Sequence, residues 1–136
     1  MIKPIMHDTE FLSQVALPAT TADTAVITDL IDTLQANTDR CVGMAANMIG
    51  VNKRIIIVQM GILPVIMVNP QIIRHSNPYQ TEEGCLSLVG QRSTKRYETI
   101  EVSYQDRQFK AQQQAFSGWV AQIIQHEIDH CEGILI

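Results

Sequence analysis

The residues best suited to chemistry lie in one short segment near the end of the chain, residues 126–130 (His-Glu-Ile-Asp-His). Residues four apart lie on the same face of a helix, so His126 and His130 could bind one divalent metal ion. Glu127 would lie about 100° around the helix from His126, where a carboxylate can accept a proton from water at the ion. The segment therefore predicts a metal-dependent hydrolytic site. The alternative is a pair of solvated histidines at a helix end.

A catalytic site of this kind needs a third protein ligand. Long metallopeptidase signatures place a further histidine after the second one, but Ile136 occupies that position. We therefore expect an upstream ligand, and the candidates are Cys41, Cys85, His7 and His75. Cys85 is favoured, because Gly84 permits close backbone approach and a thiolate binds soft or borderline metals strongly. The alternative for Cys85 is a buried, apolar role.

Two helices are predicted from apolar residues at helical spacing. The first begins near Thr21 or Asp23, and its buried face is formed by Val26, Ile27, Leu30, Ile31 and Leu34. The second spans about residues 118–131, with Ser117 as its N-cap, and carries the histidines. Its apolar side consists of Trp119, Val120, Ile123, Ile124 and Ile128.

Strands are predicted between the two helices. They are expected at residues 54–60, 64–69, 97–104 and 108–113, with turns at 76–78 and 105–107. The first contains four consecutive β-branched residues, which is typical of a buried strand. Pro70 is expected to end the second. Because strands and helices are segregated along the chain, we predict an α+β fold in a single domain over residues 1–136.

Composition narrows the function classes. The chain has 136 residues, of which 46% are hydrophobic and 18% charged, which is typical of a folded domain. Its formal charge of −4 argues against a nucleic-acid binder. The sequence has no apolar stretch long enough for a membrane span and no signal-peptide pattern, and its three cysteines are an odd number. A cytoplasmic, reducing environment is therefore expected.

Three segments of the chain resemble the peptide deformylase family. They are residues 42–48 (Val-Gly-Met-Ala-Ala-Asn-Met), 83–87 (Glu-Gly-Cys-Leu-Ser) and 125–130 (Gln-His-Glu-Ile-Asp-His), and the second and third match the family motifs outright. The resemblance implies antiparallel or mixed strands around a central C-terminal helix that carries the metal-binding motif. It also implies an enzyme that removes the formyl group from the N-terminal formyl-methionine of nascent polypeptides, near the ribosome exit.

The resemblance also implies roles for particular residues. The metal ligands would be Cys85, His126 and His130, and the ion would be Fe²⁺, with Ni²⁺, Co²⁺ or Zn²⁺ as substitutes. Glu127 would act as general base and then general acid while water, activated by the ion, attacks the formyl carbon. The backbone N–H of Leu86 would bind the developing oxyanion. The backbone at Gly43 and Gly84 would hold the substrate peptide like an added strand.

One departure from the family pattern concerns the oxyanion. The family has a glutamine where this chain has Met48, and a thioether has no N–H to donate. Loss of one such donor costs about 10²–10³ in rate. The alternative for Met48 is core packing. Because of Met48, a second function remains an alternative: the protein would be a weakly active or inactive deformylase homologue that binds formylated peptides or acts as a regulator. A general metallopeptidase is disfavoured, because its usual downstream ligands are missing.

A second departure concerns the pocket for the substrate side chain. Trp119 and Gln122 share a helix face with His126, and Ile123 lies beside them. The family usually presents aliphatic groups there, so an indole and an amide would narrow the pocket and make it more polar. We therefore expect an altered side-chain preference; the alternative is that Trp119 is a core anchor. Separately, Glu83 is predicted to pair with Arg92 or Arg96 and so to fix the cysteine loop.

Overall fold

The backbone forms a five-stranded sheet and three helices in a computed structural model that describes residues 1–135. The helices are α1 (Thr9–Leu12), α2 (Thr24–Ala36) and α3 (Gly118–Cys131), with 3₁₀ turns at Thr21–Asp23 and Ala46–Ile49. The strands are β1 (Gly43–Ala45), β2 (Ile55–Met60), β3 (Leu63–Cys85), β4 (Leu88–Gln105) and β5 (Ala111–Ser117). This is the α+β fold that the sequence predicted. No helix within the described part of the chain has the length and apolar character needed to span a membrane.

The sheet is antiparallel, and its strands lie in chain order from β1 to β5. β1 therefore forms one edge, where Gly43 pairs with Val58 of β2. β3 and β4 make one long hairpin, which closes where Cys85 pairs with Leu88. This closure places the cysteine at the tip of the hairpin.

The two faces of the sheet are covered by different helices. Successive residues of a strand point to opposite faces, so the buried run in β2 serves both. Ile56 and Val58 belong to the core that packs against α3, together with Ile100, Val102, Ile124 and Ile128. Ile55 and Ile57 belong to the core that packs against α2, together with Ile27, Leu30 and Leu34. The predicted buried faces of both helices are confirmed except at Trp119, which is 62% exposed.

Two predictions about β3 are wrong. Pro70 does not end the strand, because register shifts between Val68 and Gln71 and between Ile72 and Arg74 accommodate it, and bulges are where sheets tolerate proline. Residues 76–78 are not a turn but continue the ladder with β4, although Asn77 has a left-handed φ of 59°.

The final hairpin and helix differ in detail from the prediction. β5 begins at Ala111, later than expected, because the preceding residues form a longer turn. In this turn the backbone N–H of Asp106 donates to the Lys110 carbonyl and that of Phe109 donates to the Asp106 carbonyl. Ser117 occupies the N-cap position of α3 as predicted, but its side chain makes no capping hydrogen bond.

Candidate active site

A cysteine and two histidines meet between the hairpin tip and α3. Cys85 ends β3, while His126 and His130 lie one turn apart on α3. The Sγ atom of Cys85 lies 3.1 Å from Nε2 of His130, and one potential ligand atom from each residue lies within 4.8 Å of the others. Both histidines are buried. The structure thus brings together the three residues that the sequence singled out as metal ligands.

The other candidates for the third ligand are engaged elsewhere. Nδ1 of His7 lies 3.0 Å from the carbonyl oxygen of Ser87, and the ring of His75 stacks on Tyr97 at 3.8 Å. The thiol of Cys41 donates to the carbonyl oxygen of Gly43 at 2.7 Å. Within residues 1–135, Cys85 alone of the upstream candidates joins the two histidines.

Glu83 anchors the site through a buried ion-pair network. Its carboxylate accepts hydrogen bonds from Arg96 at 2.7 and 3.0 Å, and Arg96 also donates to Asp129 at 2.7 Å. The predicted pairing is therefore with Arg96, while Arg92 donates to the Val89 carbonyl. Burial alone would raise the pKa of Glu83, but hydrogen bonds from His126, Arg96 and Gln122 lower it to about 2.

Glu83 also orients the first histidine. Its Oε1 atom lies 2.9 Å from Nδ1 of His126, which directs the Nε2 atom of that ring toward the cluster. Metal-binding histidines usually donate their other ring N–H to a carboxylate in this way, which fixes the tautomer and the ring orientation.

The electrostatics of the cluster suit a divalent cation. Burial lowers the pKa of His130 to about 3, with a further contribution from His126, so its imidazole is neutral, as metal binding requires. Burial opposes protonation of His126 too, but the charge of Glu127 and hydrogen bonds to Cys85 and Glu83 raise its pKa to about 10. The same negative surroundings would favour a metal ion that displaces the His126 proton on binding. A cysteine sulfur with two imidazoles is a donor set for transition metals.

Glu127 lies beside the cluster with a free acceptor. The residue is 3% exposed, and its Oε1 atom is buried without a hydrogen-bond partner. Burial raises the pKa of this carboxyl to about 7. Buried polar atoms almost always have a partner, so the orphaned oxygen indicates that another polar group, such as water or a substrate nitrogen, completes the site.

A cavity of about 620 Å³ opens onto the cluster. It is lined by the residues for which the sequence predicted catalytic or substrate-binding roles, namely Gly43, Met48, Gly84, Leu86, Trp119, Gln122, Ile123 and Glu127. Cys85 and His126 also line it. A cavity of this size with a few polar groups at its base can bury the end of a peptide.

Met48 contributes to both the cavity and the core. It is 1% exposed and packs in the core beneath α2. Its Sδ atom accepts a hydrogen bond from the backbone N–H of Ala45 at 3.4 Å, so it supplies no donor. The neighbouring amide of Asn47 points away and donates to the His130 carbonyl at 2.9 Å. The core-packing role expected as an alternative for Met48 is therefore present.

The outer wall of the cavity includes Trp119 and Gln122, and their surroundings differ in part from what the sequence predicted. Trp119 is 62% exposed, so the idea that it is a core anchor is wrong. Gln122 donates to Oε2 of Glu83 at 2.9 Å and accepts from the Tyr79 hydroxyl at 3.3 Å. Tyr79 and Asp129 had no predicted role. Asp129 could have been found from the sequence, because it lies within the histidine motif. No local sequence pattern identifies Tyr79 as part of the site.

Known proteins match the whole chain. The polypeptide deformylase family model covers residues 2–136. A peptide deformylase of Clostridium beijerinckii is 60% identical over 136 residues, covering 100% of both chains. One from Chlorobium phaeovibrioides is 36% identical and covers 99% of this chain and 76% of its own.

Solved structures share the fold over nearly the full length. A Legionella pneumophila peptide deformylase superposes with a TM-score of 0.89 at 34% identity, over 99% of this chain and 83% of its own. An Acinetobacter baumannii class I type b peptide deformylase bound to Met-Ala-Ser superposes with a TM-score of 0.89 at 29% identity, over 99% and 97%. The motifs, the assembled site and these similarities lead to one conclusion: the chain belongs to the polypeptide deformylase family.

Proposed function

We propose that this protein hydrolyses the formyl group of N-formylmethionyl polypeptides. Water adds to the formyl carbon, the carbon–nitrogen bond breaks, and the products are formate and a free amino terminus. The observation that carries the proposal is the unpartnered carboxylate oxygen Oε1 of Glu127 beside a cysteine and two histidines at the base of a cavity. A related enzyme from Acinetobacter baumannii has been solved with Met-Ala-Ser bound, which is the kind of product this reaction leaves.

A divalent metal ion is part of the proposal. Cys85, His126 and His130 would hold it, and the thiolate favours Fe²⁺, Ni²⁺, Co²⁺ or Zn²⁺ over Mg²⁺ or Ca²⁺. We assign Fe²⁺ in the cell, with the others as substitutes in purified protein. When bound, the ion supplies a Lewis acid that polarises the formyl oxygen and lowers the pKa of water.

Glu127 moves the protons. With a pKa of about 7, its carboxyl is available in both protonation states near neutral pH. Oε1 accepts the proton of the attacking water and then donates it to the amide nitrogen as that nitrogen leaves. The backbone N–H of Leu86, at the hairpin tip, would donate to the negative charge that develops on the formyl oxygen.

The strands would position the peptide. β1 is an edge strand that carries Gly43, and Gly84 is the next-to-last residue of β3 across the cavity, so an extended substrate can add between them. Gln122, Ile123 and Trp119 form the wall that the methionine side chain would meet. Because this wall includes an amide and an indole, we expect the preference for the first side chain to differ from that of a purely aliphatic pocket. Nascent chains near the ribosome exit are the proposed source of substrate.

The alternative, a homologue that only binds formylated peptides, is not favoured. The proposed base and all three candidate ligands are present and assembled. The Clostridium beijerinckii relative, which is 60% identical over 136 residues, is named a peptide deformylase.

Formate release from formyl-Met-Ala-Ser tests the proposal directly. We expect anaerobically prepared Fe²⁺ or Ni²⁺ protein to turn over, and Glu127→Gln to retain the metal but lose about 10²–10⁴ in kcat. Glu132→Gln, an exposed change at the end of the same helix, is the matched control and should stay within about 2-fold. The proposal fails if the wild type releases no formate or if Glu127→Gln is equally active.

A further inference from the structure

Gln122 contacts both the substrate cavity and the machinery behind the metal site. It lies one helical turn before His126 on α3 and lines the cavity. Its Nε2 atom donates to Oε2 of Glu83 at 2.9 Å, and its Oε1 atom accepts from the hydroxyl of Tyr79 at 3.3 Å. A carboxylate can only accept, and Tyr79 donates from the other side, so the orientation of this amide is fixed.

The contact completes the hydrogen bonding of Glu83. Oε1 of Glu83 faces Nδ1 of His126 at 2.9 Å and Nη2 of Arg96 at 2.7 Å. Oε2 accepts from Nε of Arg96 at 3.0 Å and from Gln122. An ionised carboxylate has about four acceptor positions, and here four donors occupy them. Without Gln122, Oε2 would keep one donor and face the cavity.

We propose that Gln122 is a positioning residue that fixes Glu83, and through it the imidazole of His126, while forming a wall of the substrate pocket. The proposal rests on the function assigned above. An aliphatic residue here would line the pocket but could not hold Glu83, so the orientation of His126 would be less restricted. The polar wall therefore links the substrate pocket to retention of the metal.

Release of cobalt from the loaded protein tests this role without measuring turnover. Co²⁺ bound to a thiolate absorbs light, so its transfer to a chelator can be followed in full-length Gln122→Leu, Gln122→Glu and wild-type protein. Outer partners of metal-binding histidines contribute about 10–100-fold to metal affinity. We expect Gln122→Glu, which places a second carboxylate against Glu83, to release cobalt at least about 10-fold faster. Gln122→Leu should show a smaller acceleration and an altered absorption spectrum.

Gln91→Leu is the matched control, because Gln91 lines the same cavity but is not among the donors to Glu83. It should release cobalt at the wild-type rate. If Gln122→Glu does not fold, Gln122→Leu still decides the question, because leucine is a good helix former of similar size. Wild-type release rates and spectra in both Gln122 variants would overturn the proposal. Failure of the wild type to bind stoichiometric cobalt would instead overturn the proposed function along with it.

Discussion

Met48 stands where the family pattern has a glutamine, a side chain that can donate a hydrogen bond. Its sulfur accepts a hydrogen bond from Ala45 and packs in the core, so the side chain offers nothing to a developing oxyanion. Glu127 and the three candidate ligands are nevertheless in place. Enzymes lower barriers by about 8–23 kcal/mol, and one donor accounts for roughly 2.7–4 kcal/mol, so activity should be reduced and not abolished.

Met48→Gln should therefore increase the rate. A glutamine amide restores the missing donor, and we expect kcat for formyl-Met-Ala-Ser to rise about 10²-fold in nickel-loaded protein. Met48→Leu is the control, since it keeps an apolar side chain of similar size in the core and should stay near the wild-type rate. Equal rates for the Gln and Leu variants would show that the side chain at position 48 does not contribute to stabilising the oxyanion.

Single residues were predictable from sequence where motif spacing determined them. Because residues four apart lie on one face of a helix, His126 and His130 could be assigned to the same metal ion. The motif around Cys85 singled this residue out as the third ligand. The pairing of Glu83 was narrowed to two arginines, and the structure selects Arg96. The contact between Gln122 and Glu83 was not predicted, because it joins residues 39 apart and no local pattern records it.

At the scale of elements, the close approach of β1 to α3 sets the position of the proposed base. A Cβ atom on Gly43 would lie 2.7 Å from Cγ2 of Ile123 and 3.0 Å from Oε2 of Glu127. Real Cβ atoms essentially never make contacts under 3.0 Å, so a larger residue at position 43 would force the side chain of Ile123, or the strand itself, to move.

Gly43→Ala should consequently reduce both stability and activity. Overpacking costs about 1–3 kcal/mol, and a shift of about 1 Å in Glu127 can cost about 10²-fold in kcat. Gly84→Ala is the matched control for stability, because its added Cβ would meet Gln91 and Gly90 only at 3.6 Å. Thermal melts should show a lower Tm for Gly43→Ala than for Gly84→Ala. If the two melt together and Gly43→Ala keeps full kcat, the packing argument is wrong.

Elements were predictable where local periodicity matched the final environment. Helix α2 follows from the spacing of its apolar residues, and the buried strand β2 follows from four consecutive β-branched residues. The length of β3 was not predictable, because Pro70 is normally a strand breaker and only pairing with the distant β4 makes a bulge there acceptable. The end of β3 matters for the site, since it carries Glu83 and Cys85.

At the scale of the whole molecule, the site joins two parts that are far apart in the chain. Cys85 lies at the tip of the β3–β4 hairpin, and His126 and His130 lie on α3, which packs against the sheet through an apolar core. Apolar packing places the helix, and the Glu83–Arg96–Asp129 network connects hairpin to helix at the site itself. A metal ion would add a further link between them.

Removal of the metal should therefore lower thermal stability. A ligand that binds only the folded state stabilises it by about 2.7 kcal/mol at a concentration of 100 times Kd, which corresponds to a Tm change of about 5–10 °C in a domain of this size. Melts of nickel-loaded and chelator-stripped protein measure this difference, and Cys85→Ala should reduce it because one ligand is lost. Equal melting temperatures for loaded and stripped wild type would contradict the proposed link. An unchanged difference in Cys85→Ala would place the stabilising metal elsewhere in the molecule.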